Sequence, residues 1–298
     1  MSNPFATRFA PSPNGDLHLG HALSAMTGFE LARRQRGRFL VRIEDIDLNR
    51  TSEDYVSRIF DDLHWLGLQW EEPVVRQSSR FVAYRAAAAD LLDRGLLYSC
   101  YATRAEIEAA VATAHPRGCD PDGAPLYPGL YRDATAQELV RRKDAGERYC
   151  LRINMRRALT AAAAILDGEP LTFCEWTGES AKTPTVVAAD PGRWGDAVIV
   201  RKDTPASYHL AVVLDDAAQG ITHVTRGRDL YAATDLHRLL QVLLGLPAPI
   251  YHHHRLILDP TGRKLSKTLR DTTLRTLRAE GATPADIHRL IGFPAAPA

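Results

Sequence analysis

The first residues of the chain that could do chemistry are two histidines, His18 and His21, three positions apart. They follow a short predicted strand and a loop, and they begin a predicted helix, so both imidazoles lie on one face of its first turn. The free N–H groups and the dipole of a helix N-terminus favour a phosphate ligand. Gly20, between them, leaves room for a ligand to approach the backbone. An isolated pair of this kind is more often two surface histidines, but this context favours imidazoles that stabilise a reacting phosphate.

A second candidate element lies near the other end of the chain, in Lys264-Leu265-Ser266-Lys267-Thr268. It follows a predicted strand, Arg255 to Leu258, and a turn at residues 259–262. Two lysines that flank a small polar residue on a loop are typical of a clamp that closes on a polyphosphate. Alone, the spacing is equally typical of a solvated basic loop. Together with the histidine pair it predicts a polyphosphate-binding site.

Alternating strands and helices must position these two elements. Hydrophobic spacing predicts helices over 19–34, 81–93 and 234–244, and another that begins after Ser52. Short apolar runs predict strands at 8–10, 39–43, 197–200, 210–214, 223–225 and 255–258. Strand, helix and strand in succession indicate an α/β fold, a Rossmann-like parallel sheet with right-handed crossovers.

The middle of the chain interrupts this alternation. Between Tyr98 and Trp194 glycine and proline are frequent and the hydrophobic periods are short, which indicates an inserted subdomain, part helical and part β. The predicted domains are therefore 1–97 and 195–250 for the two halves of the sheet domain and 98–194 for the insertion. Residues 251–298 form the lysine loop and a short helical C-terminal segment.

Composition excludes several classes of protein. The 298 residues are 45% hydrophobic and 24% charged, and 37 Lys and Arg face 36 Asp and Glu, for a net charge of +1. These values exclude a disordered polyelectrolyte and a histone-like basic protein. No apolar run reaches the roughly 20 residues of a membrane span. The absence of a signal-peptide pattern and of a CxxC pair among four cysteines predicts a cytoplasmic protein with reduced thiols.

The motifs together resemble one family. His18-Leu19-Gly20-His21 resembles the HIGH signature, and Lys264 to Thr268 resembles the KMSKS signature, of the class I aminoacyl-tRNA synthetases. Four further stretches resemble the glutamyl branch of that class: 8–15, 42–47, 76–80 and 214–216. The resemblance covers the chain from about residue 5 to residue 290. It implies a ligase that activates L-glutamate with ATP and Mg²⁺.

Length indicates which glutamyl branch the chain resembles. Only 30 residues follow Thr268, too few for a helical anticodon-binding domain. The chain therefore resembles the glutamyl-queuosine tRNA(Asp) synthetase family, which activates glutamate without tRNA and attaches it to the queuosine base of the tRNA(Asp) anticodon. The alternatives are a truncated enzyme that charges a tRNA 3′ end, a non-catalytic paralogue that binds tRNA or adenylate, and a small-molecule ligase.

The resemblance also implies roles for individual residues. The catalytic group consists of His18, His21, Lys264 and Lys267, and the ATP contacts of His18, Gly20, His21 and Lys267. The glutamate contacts are Arg8, Phe9, Ala10, Pro11, Ser12, Glu44, Tyr208 and Arg226. Two alternatives stay open, because Glu44 lies in an acidic run typical of a surface and Arg226 has Asp229 nearby as an ion-pair partner. The effect of His209 on the pocket is not decided by the sequence.

Two further groups of residues resemble metal ligands. Many relatives bind zinc through a Cys-x-Cys pair and a Tyr-x3-Cys pair, but here only Cys100 and Tyr127 match, since Ala102 and Tyr131 stand at the other positions. A structural zinc needs four ligands, so we expect none, although His115 or Cys119 could substitute at unusual spacing. Three consecutive histidines, 252–254, do not converge easily on one ion, and we expect them at a pocket rim or on the surface.

Overall fold

The computed structural model describes residues 4–113, 118–177, 183–258 and 272–293. The strands are β1 Ala6–Phe9, β2 Arg38–Ile43, β3 Glu71–Arg76, β4 Leu97–Cys100, β5 Cys150–Ile153, β6 Thr172–Glu175, β7 Thr185–Ala188, β8 Val198–Val200, β9 His223–Gly227 and β10 Ile250–His254. The α-helices are α1 Leu19–Arg34, α2 Glu53–Trp65, α3 Phe81–Asp93, α4 Arg104–Thr113, α5 Ala136–Asp144, α6 Met155–Ile165, α7 Tyr208–Ala218, α8 Ala233–Leu243, α9 Leu274–Ala279 and α10 Pro284–Leu290.

The predicted parallel sheet is confirmed. β1, β2 and β3 pair in parallel in that order, and β9 and β6 each pair in parallel with β10. The two groups meet at β1 and β9, where the Thr222 main-chain N–H donates to the Ala6 carbonyl at 3.1 Å. Parallel strands end at the same edge, so the carboxyl ends of β1, β2, β9 and β10 are brought together there.

A separate antiparallel sheet lies in the middle of the chain. It has the order β4-β5-β8, and a small core of its own contains Tyr98, Tyr101 and Tyr131. β6 and β7, which follow β5 in the chain, belong instead to the sheet of β9 and β10. Residues 98–194 therefore contribute strands to two sheets. The domain boundaries given above stay predictions.

Two strand predictions were wrong. Residues 210–214 lie within α7, whose Leu210, Ala211, Val212 and Val213 are buried in the main core. A short apolar run that is buried on all sides does not distinguish a strand from a helix. The strand predicted at residues 255–258 lies earlier in the chain, at Ile250–His254, which is β10. Tyr251 is the buried aromatic residue of this strand.

The C-terminal segment is helical, as predicted, within its described residues. α9 and α10 place Leu274, Ile287 and Ile291 in the apolar core that α1 and α2 share with the first sheet. This packing closes the end of the sheet beside the histidine pair, because His18 forms a bridge with Thr273 just before α9. None of the helices described is long and apolar enough to span a lipid bilayer.

Candidate functional site

A cavity of about 450 Å³ opens where β1 and β9 meet. The turns that follow the parallel strands line it, at the location where α/β sheets bind ligands. Every predicted site residue in the described part of the chain lies in its wall: Arg8, Phe9, Ala10, Pro11, Ser12, His18, Gly20, His21, Glu44, Tyr208 and Arg226. Lys264 and Lys267 lie outside the described residues.

Arg8 is held by a carboxylate beneath the cavity. It is buried, and its Nε and Nη2 donate to the two oxygens of Asp216 at 2.9 and 3.2 Å. Asp216 also accepts from Nη1 of the fully buried Arg42 at 2.7 Å. Burial would raise the pKa of Asp216, but the two arginines outweigh it and hold that pKa below its ordinary value. The positive charge of Arg8 is therefore already compensated inside the protein.

Glu44 lies at the end of β2 with its carboxylate close to that network. Nη2 of Arg42 donates to Glu44 Oε1 at 3.2 Å, and the Glu44 side chain is 10% exposed. Burial raises the pKa of Glu44, and the nearby charges of Arg42 and Arg8 oppose the rise. The alternative of a surface acid is wrong, since this carboxylate is largely buried in a cavity wall.

The motifs that carried the resemblance meet in this network. Asp215, next to Asp216 on α7, accepts from Gln77 Nε2 at 3.0 Å, from Tyr84 at 2.7 Å and from Arg80. These contacts fasten the turn before α3 to α7 behind Arg8 and Glu44. Stretches 42–47, 76–80 and 214–216 thus support the cavity wall, and most of their side chains do not line the cavity.

Arg226, on β9, has a different environment from Arg8. It is 4% exposed and donates to Thr234 Oγ1 at 2.7 Å, His253 Nε2 at 3.0 Å, His237 Nδ1 at 3.1 Å and Tyr208 Oη at 3.4 Å. None of these four acceptors is a carboxylate, and within the described ranges Arg226 forms no ion pair. Its contacts are thus not those of the alternative Asp229 pair. An arginine in this state presents an uncompensated positive charge to the cavity.

His18 and His21 are fixed at the start of α1 by their own main chain. Nδ1 of His18 accepts from the Gly20 N–H at 3.1 Å, and Nδ1 of His21 accepts from the His18 N–H at 3.2 Å. The rings lie 3.9 Å apart between their centres. Because Nδ1 accepts in both rings, each neutral imidazole carries its proton on Nε2. Both histidines are thereby arranged as Nε2–H donors at a helix N-terminus.

The absence of a side chain at Gly20 leaves room for the neighbouring His18 ring as well as for a ligand. A Cβ at this position would lie 2.9 Å from Cε1 of His18 and 3.1 Å from its Nδ1. The hydrogen bond from the Gly20 N–H holds the His18 ring against that position. The absence of a side chain therefore makes room for the imidazole itself, which the sequence interpretation did not include.

The sequence analysis missed a layer of polar residues behind Arg226. The layer contains Glu175, Thr234, His237 and His253, from three elements distant in the chain. The prediction that 252–254 lie at a rim or on the surface is wrong for His253, whose side chain is 1% exposed; His254 does line the cavity. The available signal was that Thr234 and His237 lie three positions apart on α8, and so on one face of that helix.

The four residues at the positions of the family's zinc ligands lie close together in this protein, but they do not form a set of metal ligands. Cys100, Ala102, Tyr127 and Tyr131 share one buried cluster, and Cys100 Sγ lies 3.2 Å from the Tyr127 hydroxyl. The guanidinium of Arg152 stacks 3.9 Å from the centre of the Tyr127 ring. No group of three or more His, Cys, Asp or Glu in the described segments could hold a metal ion. His115 lies outside those segments, and Cys119 is exposed. The residues present do not fit a zinc site.

The chain is similar to known proteins over nearly its whole length. A family model described as "tRNA synthetases class I (E and Q), catalytic domain" matches residues 4–292. A Glutamyl-Q tRNA(Asp) synthetase of Rhodobacter capsulatus is 47% identical over 96% of this chain and 99% of its own length. One from Symbiobacterium thermophilum is 40% identical over 94% and 83%.

A solved structure shares the fold. The crystal structure of a glutamate-tRNA synthetase from Elizabethkingia anophelis superimposes with a TM-score of 0.74 at 26% identity. It covers 97% of this chain, whereas this chain covers 61% of that protein. The similarity therefore extends over nearly all of this chain, which spans about three fifths of the length of the longer protein.

Proposed function

The chain belongs to the family of class I tRNA synthetases for E and Q, and from that membership we propose that it activates L-glutamate with ATP and transfers it to queuosine in the anticodon of tRNA(Asp). The ligase assignment follows from the family. Support for the acceptor comes from the relatives named Glutamyl-Q tRNA(Asp) synthetase, one of which matches this chain from end to end. ATP and a mature tRNA are both available in the cytoplasm, and we propose that the enzyme acts there.

The charge of Arg226 is the observation that supports glutamate most directly. This guanidinium is buried in the cavity wall and surrounded by neutral acceptors, whereas Arg8 beside it is paired with Asp216. A carboxylate is the ligand whose charge best compensates a buried guanidinium that has no carboxylate partner within the protein. Glu44, a carboxylate in the same wall, is suited to the substrate amine.

The proposed first step uses the histidine pair in the wall of the same cavity. A glutamate carboxylate attacks the α-phosphorus of ATP in line with pyrophosphate, which leaves, and glutamyl-adenylate forms. The Nε2–H groups of His18 and His21 donate to the phosphate oxygens, whose negative charge grows in the transition state. Mg²⁺ bound to ATP would neutralise charge on the pyrophosphate, and we propose that Lys264 and Lys267 contact the same phosphates.

In the second step a hydroxyl of the queuosine cyclopentene ring attacks the acyl carbon of the adenylate. An ester forms, AMP leaves with the bonding electron pair, and the hydroxyl proton passes to solvent. No side chain needs to become acylated, because the adenylate is already activated and binding supplies its position. The first step accordingly proceeds without tRNA in this proposal.

Labelled glutamate and two tRNA pools, one with queuosine and one without it, test the proposal. The expected result is ATP-dependent label on the queuosine-containing pool alone, together with glutamate-dependent pyrophosphate exchange in the absence of tRNA. Label on both pools would identify an enzyme that charges a 3′ end. Absence of exchange and of label would identify a non-catalytic relative, and exchange with another amino acid would identify a different ligase.

A further inference from the structure

The guanidinium of Arg226 is enclosed by a chain of histidines whose protonation states are set by their partners. Arg226 donates from Nε to Nε2 of His253 and from Nη1 to Nδ1 of His237. A nitrogen that accepts from a guanidinium must carry a lone pair, so each ring holds its proton on the other nitrogen. Both rings are therefore neutral and in one defined tautomer.

A further partner fixes each of these tautomers. Nδ1 of His253 donates to Glu175 Oε2 at 2.8 Å, and the His253 main-chain N–H donates to Glu175 Oε1 at 3.1 Å. Nε2 of His237 donates to Nδ1 of His209 at 3.1 Å. The opposite tautomer of either ring would direct an N–H at the guanidinium. The partners of the second layer therefore determine whether Arg226 keeps its orientation.

Burial keeps the rings uncharged at neutral pH. Burial, together with the charge of Arg226, lowers the pKa of His237 well below its ordinary value and that of His209 to about 4. Burial also lowers the pKa of His253, although Glu175 opposes that change. A protonated imidazole in contact with Arg226 would add a second buried cation, which this arrangement avoids.

We propose that His237 and His253, with His209 and Glu175 behind them, are positioning residues that hold Arg226 oriented and uncompensated, so that its charge remains available to a carboxylate of the substrate. This inference rests on the proposed function and extends it to residues that do not touch glutamate. Their contribution is to glutamate affinity, because the cavity residue to which His237 and His253 are hydrogen-bonded is Arg226.

Matched substitutions test the proposal. His253→Gln keeps an acceptor near the position of Nε2, and His237→Asn keeps one near the position of Nδ1, whereas His253→Leu and His237→Leu remove them. In glutamate-dependent pyrophosphate exchange, we expect each leucine variant to raise the KM for glutamate at least tenfold while the KM for ATP and kcat stay within twofold. The amide variants should stay within threefold of wild type. His252→Leu, one residue along β10 and outside the cavity wall, is the control.

The outcomes separate the possible explanations. An unchanged glutamate KM in the leucine variants, or a parallel change in the KM for ATP and in kcat, would overturn the proposal in favour of a structural role. If a leucine variant does not fold, as judged by thermal unfolding, His209→Leu decides, because it keeps both acceptors and frees only the His237 tautomer; no rise in glutamate KM would then overturn the proposal. A wild-type enzyme without glutamate-dependent exchange would instead refute the proposed function.

Discussion

Two arginines in one cavity wall differ in a way that determines what each can bind. Arg8 donates to both oxygens of Asp216, so its positive charge is compensated within the protein. Arg226, in contrast, donates only to neutral acceptors. A buried cation without a carboxylate is unfavourable unless a ligand supplies one. We therefore propose that Arg226 selects an acidic substrate and that Arg8 is a fixed part of the cavity wall.

The pH profile of glutamate activation should report Glu44. Burial raises its pKa above the ordinary value of 4.5, so the carboxylate takes up its proton earlier than an exposed glutamate as the pH falls. Since only the ionised form attracts an ammonium group, kcat/KM for glutamate should fall on the acid side with a midpoint above 4.5. Pyrophosphate exchange measured from pH 5 to 8 checks this. Glu44→Gln should be less active throughout and should lack that acid limb; an unaltered acid limb would refute the role of Glu44.

At the scale of elements, helix α2 contains a buried carboxylate, Asp62, whose ionisation lowers the free energy of unfolding. Asp62 of α2 is 1% exposed, and neither carboxylate oxygen has a hydrogen-bond partner in the described structure. Burial raises the pKa of Asp62 from 3.8 to about 6, and Arg275 opposes the rise. Between these two values the folded state binds more protons than the unfolded state, so the free energy of unfolding falls as the pH rises through that window.

Asp62→Asn should remove this dependence. A shift of about two pKa units corresponds to at most about 3 kcal/mol at pH 7.5, and we expect the variant to gain part of that. Urea unfolding at pH 5 and pH 7.5 measures the difference. Glu108→Gln, at an exposed carboxylate on α4, is the control and should leave the pH dependence unchanged. A variant that is no more stable than wild type at pH 7.5 would contradict the assignment.

The insertion is expected to fold without zinc. Its cluster is filled by Ala102 and Tyr131 at two of the positions that hold ligands in zinc-binding relatives, and Arg152 stacks on Tyr127. Elemental analysis should find less than about 0.1 zinc per chain, and a zinc-selective chelator, added with Mg²⁺ in excess, should leave pyrophosphate exchange unchanged. The double substitution Ala102→Cys, Tyr131→Cys should acquire about one zinc. One equivalent of zinc in the wild-type protein would show that other residues hold the metal.

At the scale of the whole molecule, charge is nearly balanced. The net charge is +1, but residues 251–298 contain eight Lys and Arg against four Asp and Glu, so positive charge is concentrated at one end of the chain. Binding of tRNA must therefore depend on a few local phosphate contacts rather than on a general positive field. In the proposed function, in contrast, glutamate and ATP bind in the cavity, where salt screens charges less.

Salt should separate the two steps of the reaction. Between 50 and 200 mM KCl the KM for tRNA in the transfer step should rise at least about tenfold, the change expected when two phosphate contacts weaken. Pyrophosphate exchange without tRNA should change by less than about twofold over the same range. Comparison of the two assays on one preparation provides the internal control. Transfer that is insensitive to salt would exclude a phosphate-based tRNA surface.

The sequence by itself, through its motifs and their resemblance to one family, predicted a large part of the cavity lining. The turn that contains Pro11 and Ser12, the histidine pair and Glu44 each follow directly from a strand–turn–helix pattern, and local patterns of this kind place side chains at the carboxyl edge of a parallel sheet. The same locality explains the confirmed helices 19–34 and 81–93. The domain boundaries and the contribution of the lysine loop stay predictions.

Only the tertiary structure decided the charge balance of that cavity. Asp216 lies 208 positions from Arg8, and Glu175 lies 78 positions from His253, so no spacing in the sequence links these partners. It also decided that 210–214 form a buried helix, because burial on all sides removes the periodicity that distinguishes a helix from a strand. Electrostatic interactions depend on distance through space and on burial, and the fold alone determines both.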